Sequence, residues 1–375
     1  MESGSFMSNN AAPRGPRPVQ LGTSVDSPLV VISILNWNGW RDTIECLESV
    51  RQLNYPNYLT VVVDNGSWND SAEKIKGWAE GNLGPGHILA DYTREAALNG
   101  GEADTEEPLD RTLSPAKLVL IRNEENLGFS GGNNVAIHYA LRRSATVDYV
   151  FLLNNDAKPA SEGLTHLVSA ICNAGAGIAG AIVKDHAGKV CFAGSGSCRR
   201  HLFQPLTAVP VHVKSPEFWD SPVAHGAGML VSRQVLEDIY KRRRAYLNED
   251  LFFYCEELDF CFVASQAGHK TVIVRDAVIC HGPVHGNESA RDGRIFFYYF
   301  TRNNLLLARR LLPLPWKVPY HIAYLPLCLR RIAKRLIARQ PRLAGAIAWG
   351  LLDGYLGAGG KWKYHDRVLK HCATQ

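Results

Sequence analysis

The chain has 375 residues, of which 46% are hydrophobic and 21% charged, with a formal charge of +5. This is the composition of a globular protein with a sizeable core, either two domains or one large α/β domain with appendages. The charge is too small to argue for a nucleic-acid partner. Nine cysteines, scattered and without a Cys-x-x-Cys pair, argue against a disulfide framework or a zinc cluster and fit a reducing cytoplasm.

Residues 1–28 carry Pro13, Pro16 and Pro18 among Gly and Ser and lack the apolar core of a signal peptide. They are expected to form a disordered leader. No stretch reaches the roughly 18–20 apolar residues needed to cross a bilayer. An apolar run over 29–35 ends at Asn36-Trp37-Asn38-Gly39, and helical spacing follows over 41–53. A second strand, 59–63, closes at Asp64-Asn65-Gly66-Ser67, with Ser71 as the expected cap of the next helix. Residues 81–115 are rich in Gly, Glu, Asp and Thr and poor in apolar side chains, so an exposed insertion is expected there.

A third strand over 117–121 precedes Asn126-Leu127-Gly128-Phe129-Ser130-Gly131-Gly132-Asn133-Asn134, which opens a helix running through 141. The fourth strand, 149–153, runs directly into Asn154-Asn155-Asp156, and a helix is expected over 161–174. Alternating strands and helices with short links imply a parallel sheet covered on both faces, an α/β fold. Further on, strand-like pieces cover 179–183, 208–213 and 228–231, helical spacing returns over 256–267, and 271–274 reads as a strand. This half is expected to complete the sheet and supply a second substrate's site. Residues 294–312 read as a long apolar and aromatic helix containing Arg302, Asn303, Arg309 and Arg310. From 316 to 342, aromatics and leucines mix with Arg330, Arg331, Lys334, Arg335, Arg339 and Arg342. Such a segment suits an anionic membrane surface, or a helical lid with a solvated basic face.

Polar residues at the carboxyl ends of strands are where open α/β sheets hold ligands. Asp156 there suits a hard divalent cation shared with phosphates, with the Asn155 amide beside it. Asp64 could accept from the imide N–H of uracil or thymine or from ribose hydroxyls, and Asn36 sits in the adjacent loop. The glycine-rich loop, with Asn126, Gly128, Gly131 and Asn134, could turn backbone N–H groups toward a nucleotide or diphosphate. It is not a Walker loop, since no Gly-Lys-Ser/Thr follows. Glu256, Glu257 and Asp259, preceded by Phe252, Phe253 and Tyr254, invite a raised pKa and a role as base. The alternative is a helix N-terminus whose acids favour the macrodipole. His281, directly after a strand, could complete a two-residue metal grip with Asp156. His225, ahead of Gly226-Ala227-Gly228, could seat an acceptor or be structural.

The segments Ser33-Ile34-Leu35-Asn36-Trp37-Asn38, Val63-Asp64-Asn65-Gly66-Ser67, Asn126-Leu127-Gly128-Phe129 and Leu153-Asn154-Asn155-Asp156, with Gly226-Ala227-Gly228-Met229 and Glu256-Glu257-Leu258-Asp259, resemble family 2 inverting glycosyltransferases in order and spacing. The resemblance runs to about residue 312, and the glycine-rich loop looks most like that of rhamnosyltransferases. It implies a GT-A (Rossmann-like) domain over 29–312, followed by a helical basic and aromatic extension. It further implies a dTDP- or UDP-sugar donor, Mg²⁺ or Mn²⁺ held by Asp156 and His281, and Asp64 and Asn36 at the pyrimidine. Glu257 would be the base, with Glu256 or Asp259 as substitutes. A glycan or lipid-linked glycan would be the acceptor, at the cytoplasmic face of the inner membrane. The chain departs from the family in having Asn154 where many members have Asp, and Glu257 where Asp is more usual. Nucleotidyl transfer and a catalytically silent sugar-nucleotide-binding scaffold are the competing readings.

Overall fold

The computed structural model describes residues 27–144, 146–195, 216–282 and 293–373. Most of the expected leader and the strand expected over 208–213 lie outside them.

Five parallel strands form one half of the sheet: β1 (Leu29–Asn36), β2 (Tyr58–Asn65), β3 (Ile88–Thr93), β4 (Lys117–Asn123) and β5 (Val147–Asn154). The other half adds β6 (Ala157–Pro159), β7 (Ile178–Lys184), β8 (Val190–Phe192), β9 (Phe218–Asp220), β10 (Gly228–Ser232) and β11 (Thr271–His281). The spatial order is β3-β4-β2-β1-β5-β10-β7-β11-β6, with β8 on β7 and β9 on β11. The antiparallel strand β10 joins the parallel β5 side to the parallel β7–β11 pair.

Side chains alternate along each central strand between two buried faces. Val31, Val61, Val63 and Val119 belong to one core, and Ile32, Ile34, Val62 and Leu120 to the other. The second core takes the buried residues of α1 (Trp40–Val50), α2 (Ser71–Asn82) and, further along, α6 (Gly163–Ala174). The first takes those of α5 (Gly128–Arg143), α7 (Arg233–Arg243) and α8 (Glu256–Gln266). Near-continuous apolar strands are what a sheet buried on both faces requires.

Residues 81–115 correct the sequence reading. They supply β3, the sheet's edge strand, and the short helices α3 (Arg94–Leu98) and α4 (Ala103–Arg111). Ala90, Tyr92, Ala97 and Leu109 are buried in the first core, and Glu106 accepts from Tyr92, Tyr139 and Arg143 at 2.6–2.9 Å. The buried residues of β3 itself, Ala90 and Tyr92, lie on one face and alternate with exposed Asp91 and Thr93, so low hydrophobicity concealed a strand. Ser71 does not cap α2 either; its hydroxyl lies 2.6 Å from Asn69 Oδ1.

Four helices follow: α9 (Gly293–Leu311), α10 (Leu314–Ile337), α11 (Pro341–Leu356) and α12 (His365–Ala373). Gly350 and Gly354 let α11 lie against α9, since a Cβ at either would come within 2.6 Å of Tyr298 O or Leu305 Cδ1. The fully buried Arg302 of α9 donates to the Asp250 and Leu251 carbonyls at 2.9 and 2.8 Å. The neighbouring Asn303 amide lies 2.7–2.9 Å from the carbonyls of Leu251, Phe253 and Tyr254. These bonds hold a loop in which Phe252, Tyr254 and Cys255 all have positive φ, a conformation costly for non-glycine residues.

Candidate active site

The ends of β1, β2, β5 and β11, the tips of α5 and α8, and the loop before α8 enclose a cleft of about 390 Å³. The antiparallel register of β6 on β11 sets His281 opposite Ala157, one residue past Asp156. Asp156 Oδ1 and His281 Nε2 are 3.2 Å apart. Ligands at about 2.1 Å on cis positions of an octahedral cation stand about 3 Å apart, so this pair fits one edge of a Mg²⁺- or Mn²⁺-like coordination sphere. Among the described residues no group of three or more His, Cys, Asp or Glu could hold a metal. The remaining positions would therefore belong to water and substrate. Asn154, in place of a second carboxylate, puts Nδ2 3.0 Å from His281 Nε2, while its buried Oδ1 has no partner among the described residues.

Glu256 and Glu257, on the first turn of α8, both line the cleft. Burial raises both carboxyls, and the charge of Glu257 raises Glu256 further, well above the ordinary glutamate range. The pair therefore favours a single negative charge, on Glu257, with Glu256 protonated. Asp259 is a correction. It faces away from the cleft, fully buried, and is ion-paired with Arg243 and, at 3.5 Å, with Arg310.

His225 and Gly226 line the cleft, but Gly228 does not. A Cβ on Gly228 would collide with the Ile279 side chain, so this glycine serves the packing of β10. His225 stands edge-on to His281 with centroids 5.7 Å apart, and its Nδ1 accepts from Ala227 N–H at 3.1 Å. Burial, aided by His281, pushes its pKa down to about 4, leaving it neutral.

The expected donor-binding residues divide. Asn126, Gly128 and Asn155 line the cleft. Asn36 is fully buried: it donates to Asp64 Oδ1 at 2.6 Å and accepts from Thr43 Oγ1 and Gly39 N–H. Asp64 also accepts twice from Ser67 and stands behind the wall, which is formed by Trp37 and Asn65. Asn36 thus orients Asp64 rather than touching a base. Gly131 and Asn134 are corrections as well. Gly131 packs within α5 against Leu127, and Asn134 clamps the Leu247 backbone in both directions at 2.8–3.0 Å. Two backbone donors at the tip of α5 are already used. Gly128 N–H goes to Asn126 Oδ1 at 2.8 Å and Phe129 N–H to Phe252 O at 2.7 Å. These two amides are therefore closed to a diphosphate.

Trp37, Asn65, Phe252, Phe253, Tyr254 and His365 line the cleft without having been singled out for it. Trp37 and Asn65 stand one residue beyond Asn36 and Asp64, and at a strand end that single step exchanges wall for core. The aromatic triplet carried a signal in its proximity to the glutamates. His365 carried none, lying about a hundred residues past α8 and beyond the segment 316–342 read for its charge.

No family model matches the chain. Over 141 residues it is 31% identical to the low-salt glycan biosynthesis hexosyltransferase Agl10 of Haloferax volcanii, covering 37% of this chain and 43% of that protein. The chain thus spans less than half the length of that relative. In three dimensions it resembles the mannosyltransferase PcManGT from Pyrobaculum calidifontis, solved with GDP-Man and Mn²⁺, at a TM-score of 0.51 and 17% identity over 98% of this chain and 84% of that one. It also resembles residues 1–349 of S. aureus TarS, solved with UDP-GlcNAc, at 0.50 and 14% over 92% and 87%. The chain has the GT-A fold. A GT-A scaffold explains why the cleft lies where β1, β2 and β5 end, but chemistry has to be argued from its side chains.

Proposed function

We propose that the chain is a metal-dependent inverting hexosyltransferase of family 2 type. It moves a sugar from a dTDP- or UDP-sugar to a glycan or lipid-linked glycan in cell-surface glycan synthesis; the motif resemblance favours rhamnose. The observation that carries this reading is the meeting, in one cleft, of the Asp156–His281 pair with the carboxyl groups of Glu256 and Glu257. The hexosyltransferase name of Agl10 and the nucleotide sugars bound by PcManGT and TarS support it.

A divalent cation on Asp156 and His281 would supply positive charge to the leaving diphosphate. Glu257 accepts the proton of the acceptor hydroxyl as that oxygen attacks the anomeric carbon, opposite the departing nucleotide diphosphate. One bond forms while the other breaks, so the configuration inverts. Glu256, protonated, keeps a second negative charge from the attacking oxygen, and the aromatic loop excludes water. The test is release of nucleotide diphosphate from a panel of UDP-, dTDP- and GDP-sugars, with Mn²⁺ or with EDTA. Metal-dependent release from one donor is expected; failure to bind any donor overturns the reading.

We also place the enzyme at the cytoplasmic face of an anionic membrane. Among the described residues no helix is long and apolar enough to cross one. Helix α10 buries Tyr320, Tyr324 and Cys328 and exposes Val318, Ile322, Leu325, Leu329 and Leu336 on its opposite side. Eleven of the chain's 41 Lys and Arg lie in residues 293–352, which hold none of its 36 Asp and Glu, so this segment carries +11 and the remainder −6. An apolar stripe flanked by basic residues is the pattern of an interfacial helix. Sedimentation with phosphatidylglycerol vesicles but not phosphatidylcholine vesicles is expected, and lost in Ile322→Asp/Leu329→Asp. Equal binding to both vesicles, or to neither, refutes this placement.

A further inference from the structure

The cleft contains two buried N–H groups that no step above uses. Trp37 Nε1 and His365 Nε2 both lack a partner among the described residues, and both side chains line the cleft. Their rings stand 6.1 Å apart. His365 is 3% exposed, so an unmet polar atom there carries the full cost of desolvation unless a ligand meets it.

The tautomer of His365 follows from its surroundings. Trp362 N–H donates to Tyr299 Oη at 2.9 Å, and the same oxygen lies 3.1 Å from His365 Nδ1. The buried Tyr299 hydroxyl has no other acceptor among the described residues, so its own proton is satisfied only by donation to Nδ1, which places the ring proton on Nε2. Burial, with Lys361 nearby, pushes the His365 pKa down to about 4, in keeping with a neutral ring. Trp37 Nε1 can only donate. Two unmet donors thus sit within side chains that line the cleft, braced by T-shaped contacts of Trp37 with Trp68 and of His365 with Phe252.

Their position selects the ligand atom. Trp37 follows β1 and stands beside Asn65 at the end of β2, whereas Asp156 and His281 follow β5 and end β11, on the other side of β1 in the sheet. Resting on the reading that Asp156 and His281 take the diphosphate, the β1–β2 end receives the nucleoside. We propose that Trp37 Nε1–H and His365 Nε2–H together recognise an oxygen of the donor's nucleoside, a base carbonyl or a ribose hydroxyl. Helix α12 is then part of the donor site.

Calorimetry with UDP, dTDP and GDP, and with pyrophosphate, each with Mn²⁺, tests this. The wild type is expected to bind one nucleoside diphosphate. His365→Phe keeps a ring but no N–H and is expected to weaken that binding about tenfold while leaving pyrophosphate affinity unchanged. His365→Gln, which restores an N–H at similar reach, is expected to recover most of the loss. Trp37→Phe makes the same prediction independently, should His365→Phe fail to fold. A folded His365→Phe that binds the nucleotide like wild type overturns the inference, and so does an equal loss for pyrophosphate. Wild-type protein that binds no nucleoside diphosphate overturns instead the nucleotide-sugar reading on which it rests.

Discussion

Two helix N-termini open onto the same cleft, and they treat their polar groups in opposite ways. At the tip of α5 the protein ties up its own backbone: Asn126 Oδ1 takes Gly128 N–H, Phe252 O takes Phe129 N–H, and Asn65 bridges to the Gly128 carbonyl, leaving the Ser130 hydroxyl as a buried group without a partner among the described residues. At the tip of α8, Glu256 and Glu257 face the cleft, and Glu256 Oε2 has no partner among the described residues. A buried carboxyl group without a partner is expensive, so a fold retains it where a reaction uses it. A closed helix tip shapes a site, whereas an open one can act in it.

The sharpest way to break this comparison lies within α8 itself. Glu257→Gln removes the proposed base and is expected to lower kcat by about 10²–10⁴-fold with little change in donor affinity. Asp259→Asn, two residues on, removes a charge held by Arg243 and Arg310 away from the cleft. It is expected to cost stability, about 3–5 kcal/mol for breaking a buried ion pair, with kcat of the folded fraction largely kept. Chemical denaturation and single-turnover kinetics on both variants separate the two roles; a kcat loss at Asp259 equal to that at Glu257 would undo the assignment.

An intermediate effect is expected at α5. Asn134→Ala deletes a side chain that both donates to Leu247 O and accepts from Leu247 N–H, and that also donates to Glu249. The buried backbone groups left behind should cost about 1–3 kcal/mol. Nucleotide affinity of the folded protein should stay within about twofold of wild type, because the Asn134 amide is committed to Leu247 and does not line the cleft. A tenfold loss of affinity at unchanged stability would reopen the glycine-rich loop as a ligand cradle.

The difference between these helix tips also shows what was legible in the sequence. Alternation of apolar runs and helical spacing revealed the strand that runs into Asp156, because a sheet buried on both faces leaves an unbroken hydrophobic signal. It showed only residues 271–274 of β11, whose apolar pattern breaks at Arg275 and Asp276 before His281. Strand ends then marked the polar residues near a ligand. They did not show which of those residues the protein itself consumes. Asn36, Gly131, Asn134, Gly228 and Asp259 all have the right chemistry in the right neighbourhood, and partners within the protein absorb them, near in sequence for Gly131 and far along the chain for Asn134 and Asp259. Leu247 lies 113 residues from Asn134, and Arg310 just past fifty from Asp259. Residues 81–115 were misread for a related reason: an edge strand with one buried face needs few apolar residues to be held. His365 was invisible, since only the packing of α9 against α12 through Tyr299 brings it to the cleft.

The smallest effect isolates the electrostatics of the open tip. Burial and the neighbouring charge on Glu257 lift the Glu256 carboxyl well above its ordinary value near 4.5. The folded chain therefore holds a proton there that the unfolded chain has released. Between the unfolded and folded pKa values the native state binds more protons, so stability falls as pH rises through that window. Each unit of elevation is worth about 1.4 kcal/mol. Glu256→Gln is neutral at every pH and escapes this loss. Its melting temperature should match that of wild type near pH 4 and exceed it increasingly toward neutrality. An advantage independent of pH would mean that Glu256 is ionised in the native cleft and its charge offset by a partner. The single negative charge would then not belong to Glu257 alone, and the division of labour between the two glutamates would have to be redrawn.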